Sequence, residues 1–449
     1  MKTCKLKSTA LIALMLVVAL IGTVTTTPNA QTTINANALA VAEYPEMAKY
    51  PEHEMQIGFD NRYDEWWADQ KKQRSFYGAG EGLDGFFTKT FAEFLSDSEN
   101  KNAVYSPLNV YMALAMLAET TEGESRAQIL DLLDADNIEA LRKQANFIWN
   151  ANYSDDGAVT SILASSLWLN KDITFKQSTL KLLADKYYAS SYSGEMGSAE
   201  LNSSIKDWMN EQTGGLLKDY ISGIELSPET IMALVTTIYF QAKWENEFSE
   251  RKTVDDIFHT ANGDITCKFM NTTETYGNYY WSDTFSATRL SLQNSGNMWF
   301  ILPDANISID ELLKNEAALS LMCQDTSNIN RKSLKVNISL PKFDVSSKMD
   351  LTKGLNKLGI TNCFSASSAD FSPLLETEQP IWLDKVEHGA RVVIDEEGVT
   401  AAAYTEMVMC GAAMPPEEEV DFVLDRPFIF VITGSDGLPL FAGVVNNPA

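Results

Sequence analysis

The sequence predicts an α+β fold. Apolar residues at helical spacing dominate from residue 83 to about residue 220, and strand-like runs dominate from residue 231 onward. No regular strand–helix–strand repeat joins them, so a doubly wound parallel sheet is not expected. The chain has 449 residues, 45% apolar and 21% charged, a composition that supports a large buried core.

Residues 1–40 read as a secretory leader. Lys2, Lys5 and Lys7 precede an apolar run from Ala10 to Ile21. That run is too short to span a bilayer, which takes about 20 residues. Ala38-Leu39-Ala40, or alternatively Ala36-Asn37-Ala38, supplies the small-residue cleavage site. Residues 41–83 mix prolines, charges and aromatics such as Tyr63, Trp66 and Trp67 without a period, and are expected to be a loosely docked extension or linker. The globular domain is placed at 84–449.

Within it, Phe86, Phe87, Phe91 and Phe94 predict a helix over Leu83 to Leu95. Ser106-Pro107 is a cap and first-turn pair that starts a second helix, carrying Val110, Leu114 and Leu117. Ile231 to Ala242 is β-branched and aromatic, Met298 to Leu302 is fully apolar, and Val336, Ile338 and Leu340 alternate with polar residues; all three read as strands. Leu351 to Leu358 returns to a helical pattern, and Trp382 to Ile394 and Pro427 to Thr433 read as strands.

The net charge is −26. Sequence-independent nucleic-acid binding needs a basic face, and docking on anionic lipid needs juxtamembrane basic residues, so neither partner is expected. No apolar stretch of 18 residues follows the leader, and the mature chain is expected to be free of membrane. Cys4 precedes the leader's apolar run and cannot carry a lipid. Cys267, Cys323, Cys363 and Cys410 are widely spaced without a CxxC pair, which suits neither a zinc cage nor a disulfide scaffold. Five Asn-X-Ser/Thr sequons occur, at Asn152, Asn202, Asn271, Asn306 and Asn337. The histidines are His53, His259 and His388, and HExxH, GxSxG and GxxxxGK[ST] motifs are missing. Catalysis, a metal and a cofactor are therefore not expected.

The segment from Asp395 to Pro416 stands apart. It continues a strong strand, is rich in small residues and ends at Pro415-Pro416. Written as a strand, Val399, Ala401, Ala403 and Thr405 share one face, small and uncharged, while Thr400, Ala402, Tyr404 and Glu406 share the other. Such a segment suits an exposed loop that later becomes a buried strand.

Several motifs then agree in order. Asn102 to Val110 followed by Ala113 to Met116, Leu234 to Trp244, Leu340-Pro341-Lys342-Phe343, Leu358-Gly359-Ile360, Ala369-Asp370-Phe371-Ser372, Val386 to Ala390 running on to Gly398, and Phe422 to Phe428 resemble the landmarks of the serpin family. The resemblance implies three β-sheets, about nine helices and an exposed reactive loop on a metastable body. It further implies a suicide inhibitor: a serine protease cuts the loop as substrate and forms its ester, and the freed loop inserts into the large sheet and deforms the protease.

The resemblance also assigns residues. Glu396, Glu397 and Gly398 match the hinge, continued by Val399, Thr400, Ala401, Ala402 and Ala403. Fifteen residues counted from Gly398 end at Ala412, which places the scissile bond at Ala412–Ala413, with Met409, Cys410 and Met414 as near alternatives. A small residue before the cut suits a protease with a shallow primary pocket, one that is elastase-like. Ser106, Asn109, Thr236 and His388 match the polar cluster where the sheet opens, and Trp244 and Lys342 match the place where the loop first comes in, Lys342 pairing with Glu396. Val399 stands where the family more often has threonine or serine, and Asn109 and Thr236 where it more often has serine and asparagine. The expected protein is a secreted monomer whose partner is an elastase-like serine protease. A binding or carrier member that has lost trapping, and a cross-class inhibitor of cysteine proteases, are the competing readings.

Overall fold

The computed structural model describes residues 37–51, 61–96, 100–218, 225–377, 379–399, 416 and 418–449. The chain runs through β1 (Ala38–Ala40), α1 (Asn61–Arg74), α2 (Asp84–Leu95), β2 (Ala103–Tyr105), α3 (Pro107–Thr120), α4 (Gly123–Leu132), α5 (Ile138–Asn152), β3 (Ser154–Asp155), β4 (Thr160–Asn170), α6 (Gln177–Tyr187), β5 (Ala189–Gly194), α7 (Ala199–Gln212) and β6 (Met232–Lys243). Strands then prevail: β7 (Val254–Thr260), β8 (Gly263–Trp281), β9 (Phe285–Ser291) and β10 (Asn297–Pro303), the short helices α8 (Ile309–Leu312) and α9 (Glu316–Met322), β11 (Asn330–Pro341) and β12 (Phe343–Asp350). After α10 (Thr352–Lys357) come β13 (Lys385–Ile394), β14 (Gly398–Val399), β15 (Glu419–Val423), β16 (Phe428–Thr433) and β17 (Pro439–Val445).

The helix expected after Ser106-Pro107 is α3. The Ser106 hydroxyl accepts from the Asn109 amide at 3.1 Å and so satisfies one orphan donor of the first turn, while Pro107 occupies a position that needs no donor. Every residue of α3 is buried, so this helix is apolar all round and lies at the centre of the molecule. Phe86, Phe87 and Phe91 of α2 pack into the same core. The sequence-predicted strands are β6, β10, β11, β13 and β16, and Leu351 to Leu358 forms α10.

An eight-stranded sheet has the order β1-β5-β4-β6-β14-β13-β12, with β3 paired to β4. A nine-stranded sheet has the order β15-β11-β8-β9-β10-β16-β17-β2, with β7 paired to β8. Of the three sheets that the resemblance implies, the second and third are thus continuous in hydrogen bonding. The cause is β8, 19 residues long, which pairs with β7 over Gly263–Phe269 and with β9 over Tyr279–Trp281, while β11 pairs with it from Phe269 to Trp281.

Two expectations need correcting. The helical stretch to residue 220 is interrupted by β4 and β5, both members of the large sheet. Their sequences, TSILASSLWLN and ASSYSG, lack the period-two alternation that marks a half-buried strand, because helices and core cover both faces of β4. The extension is also not loosely docked throughout. Residues 61–74 form α1, the Ala48 amide donates to Asp69 and the Tyr50 amide to the Asp156 carbonyl; upstream of it, in the stretch read as leader, Ala38–Ala40 pairs antiparallel with β5.

Candidate functional site

The large sheet is closed at one end and split at the other. β6 and β13 run parallel and pair from Ala233↔Lys385 to Thr237↔Gly389. Beyond that point no ladder pair joins Ile238–Gln241 to Ala390–Val393 among the described residues. Each strand remains held on its other side, β6 by β4 and β13 by β12. The result is a slot between two strands of one sheet. Its core-facing walls are Ile238, Phe240 and Ala242 on one side and Ala390, Val392 and Ile394 on the other, all buried.

The mouth of the slot is occupied by β14. Gly398 pairs with Lys243, and Val399 pairs with both Ala242 and Ile394. Val399 is 1% exposed and packs in the main core, so the first residue of the small-residue face already lies where the alternation requires it. Gly398 is needed because a Cβ there would collide with the carbonyl oxygen of Ala242. The reversal from β13 into β14 is an Asp turn. The Asp395 carboxylate accepts from the amides of Glu397 at 3.0 Å and Gly398 at 3.2 Å, and the Asp395 amide donates to the Gly398 carbonyl.

Trp244, Lys342 and Glu396 meet at this mouth. The Trp244 indole donates to the Asp395 carbonyl at 2.8 Å, and its amide donates to the Glu397 carbonyl. Lys342 Nζ lies 2.6 Å from Glu396 Oε2, and the Thr253 hydroxyl donates to Oε1 at 2.8 Å. Burial alone would raise the Glu396 carboxyl; the Lys342 ammonium and the Thr253 hydroxyl outweigh it and hold the group below the usual carboxylate range. Phe248, whose amide donates to the Glu396 carbonyl, and Thr253 are site residues that the sequence did not reveal. Both are local on β6–β7 and carry no spacing that points across the fold. The Asp-Glu-Glu-Gly turn was the legible signal.

Ser106, Asn109, Thr236 and His388 converge at the base of the slot, where pairing begins. His388 and Thr236 are register partners of β13 and β6. The Ser106 amide donates to His388 Nε2 at 2.9 Å, so the neutral ring carries its proton on Nδ1 and donates it to the Thr236 hydroxyl, also at 2.9 Å. The Asn109 side-chain Nδ2 donates to the Thr237 carbonyl at 2.6 Å. Buried and facing no carboxylate, His388 has its pKa lowered to about 4. The cluster ties α3 to both strands that flank the slot. Among the described residues, Asn109 Oδ1 and Thr237 Oγ1 have no hydrogen-bond partner.

Thr400, Ala401, Ala402, Ala403, Ala412 and Ala413, with Cys410 and His53, lie outside the described residues. Beyond the loop, β15 pairs parallel with β11 and is anchored by Lys332 to Glu418, just before it, and by Lys335 to Glu419. Glu397 lies in the Asp turn beside Glu396. His259 is on exposed β7, with Nδ1 2.7 Å from Asp264, and takes no part in the slot. Cys267 and Cys363 are buried and Cys323 is half-buried; all three are free thiols, and burial pushes each of them up.

Comparison with known proteins agrees with this geometry. A family model described as Serpin (serine protease inhibitor) matches residues 81–448. Serpin-ZX of Arabidopsis thaliana is 28% identical over 369 residues, covering 78% of this chain and 93% of its own. Alpha-1-antiproteinase 2 of Equus caballus is 29% identical over 375 residues, covering 82% and 86%. Among solved structures, the thermophilic serpin tengpin in the native state superposes with a TM-score of 0.73 at 26% identity, covering 89% of this chain and 97% of that one. The match spans both sheets, the slot and the strand beyond it, and the chain belongs to the serpin family of serine protease inhibitors.

Proposed function

We propose that this protein is an exported suicide inhibitor of serine proteases with an elastase-like primary pocket, acting as a monomer. The protease serine attacks the Ala412 carbonyl carbon, and the bond to Ala413 breaks. The new amino terminus of Ala413 leaves with a proton, and an ester joins Ala412 to the enzyme. No group of this chain performs catalysis. Freed at one end, the segment from Thr400 onward fills the slot as a new strand, antiparallel to β6 and continuous with β14. The tethered protease is dragged along and deformed before water can cleave the ester.

The observation that carries this reading is the slot itself: a split between two strands, with the first residue of the small-residue face seated in its mouth. Each backbone hydrogen bond gained nets roughly 0.5–1.5 kcal/mol. About ten of them supply on the order of 10 kcal/mol, comparable with the stability of a whole domain. That is enough to drive insertion provided that no inward side chain opposes it.

The test mixes the protein with an elastase-like enzyme and resolves the products on a denaturing gel. The expected result is a band at the summed mass that survives denaturation. Clean cleavage with no adduct rejects trapping of that enzyme. If the cut chain also melts no hotter than the intact one, insertion itself is rejected and the binding-protein reading takes its place.

A further inference from the structure

A partly enclosed cavity of about 170 Å³ lies beside the mouth of the slot, lined by Trp244, Glu245, Glu274, Gly277, Arg289 and Leu290. The local backbone builds it. The Glu245 amide donates to the Ser291 carbonyl at 2.9 Å and Trp244 bridges to Leu292, which fastens the chain leaving β6 to the end of β9. The third wall is a bulge in β8. Gly277 pairs with Leu334 and Glu274 with Val336, so three steps along β8 match two along β11. A Cβ at residue 277 would meet Val336 Cγ2 at 2.6 Å, so the bulge takes glycine there.

Three charged side chains reach this cavity. The Arg289 guanidinium is held over the ring of its register partner Trp299, 5.3 Å from the centroid. The Glu274 carboxyl is half-buried; burial pushes it up, and a hydrogen bond from the Asn246 side chain opposes that. Glu245 is exposed. Among the described residues none of the three makes an ion pair, so the opposite charges share one cavity without neutralising each other. A charge withdrawn from water without a partner is costly, and a ligand that carries both signs satisfies both ends at once. Trp244 and Leu290, both buried, supply an apolar wall. At roughly 30 Å³ per water of the liquid, the cavity has the size of a small organic molecule and not of a peptide.

We propose that this cavity binds a free α-amino acid with a small apolar side chain, its carboxylate on Arg289, its ammonium on Glu274 and its side chain against Trp244 and Leu290. The site is separate from the slot and needs no cut loop, so the inference stands whether or not the chain traps a protease. The occupant leans on Trp244, whose indole holds the Asp395 carbonyl, and so stabilises the intact fold at the mouth.

The test titrates the full, uncut chain, verified by mass, with three probes of one shape: L-valine, 3-methylbutanoate, which lacks the ammonium, and 2-methylpropan-1-amine, which lacks the carboxylate. Calorimetry is expected to show saturable one-to-one binding of L-valine with a Kd of about 1 mM or below. Melting temperature is expected to rise with it, by about 1–2 °C at ten times Kd. Each of the other probes is expected to bind on the order of tenfold more weakly or worse, because it leaves one charge of the cavity unpaired. Arg289→Gln and Glu274→Gln are each expected to weaken L-valine by a similar factor. If a variant fails to fold, the three probes on the parent chain decide. No saturable binding of L-valine overturns the proposal. So does 3-methylbutanoate binding as tightly as L-valine, which would leave only an anion site at Arg289, and so does parental affinity in both folded variants.

Discussion

Val399→Arg is expected to turn the inhibitor into a substrate. Val399 is buried between Ala242 and Ile394, with no carboxylate among its ladder partners. An unpaired guanidinium there costs several kcal/mol, a large part of what the inserted strand supplies. The native body survives because β14 is only two residues long and leaves the slot without disturbing the pairing of β6 with β13 below. Insertion is slowed, the ester is hydrolysed first, and the yield of adduct per inhibitor falls on the order of 100-fold or more, with clean cleavage in its place. Titrating a fixed amount of protease against each protein measures this directly. Val399→Thr, uncharged and of similar shape, is the control that should retain trapping. Ala403→Arg has the same parity and is expected to behave as Val399→Arg does. Unchanged stoichiometry in both arginine variants would refute insertion as the mechanism.

Acid is expected to destabilise the closed sheet through His388. Its pKa is lowered to about 4 by burial, against 6.5 for the free side chain. A group depressed on folding contributes stability that is fully present above the unfolded value and is lost as pH falls through the folded one. The window here runs from about pH 6.5 down to about pH 4, and the contribution at stake is about 3 kcal/mol. The structural reason is local. Protonation puts a second N–H on the ring, facing the Ser106 amide, so donor meets donor where an acceptor stood. Tyr105, 6.5 Å away and edge-on to the ring, offers no charge to compensate. The junction of α3, β6 and β13 is thereby loosened. Glu396, held low by Lys342 and Thr253 against its burial, adds a second loss at more acidic pH, as its carboxylate is protonated through its folded value. Melting temperature followed from pH 7 to pH 4 should drop, and His388→Gln should flatten the upper part of that profile. A wild-type profile level from pH 6.5 to pH 4 would contradict the assignment.

What was legible in the sequence was local or periodic. Ser106-Pro107 announces α3 because capping is decided within one turn, and Val336, Ile338 and Leu340 announce β11 because one face is buried and the other is wet. The turn from Asp395 to Gly398 was legible because it has its own local chemistry, and parity from Val399 is a property of any strand. β4 was hidden because both of its faces are covered, which erases alternation. α1 was hidden because only a few of its side chains dock: Trp66 donates to Asp156, Gln70 reaches the same carboxylate, and Gln73 reaches the Tyr153 carbonyl. Thr253 and Phe248 were hidden because their role is set by tertiary approach to Glu396, and no spacing within β6–β7 encodes it.

The strand at Ala38–Ala40 bears on maturation. The same three residues are the expected leader-peptidase signature and the outermost strand of the large sheet. A cut after Ala40 yields a chain whose β5 flank is bare, with the Ser193 amide that Asn37 had satisfied left open to solvent. A bare flank of that kind is a template for edge-to-edge association with another molecule. A cut upstream of Asn37 keeps it sealed. If the chain is exported as proposed, the first residue of the mature polypeptide, read by terminal sequencing, is expected to decide whether it stays dispersed or self-associates on storage.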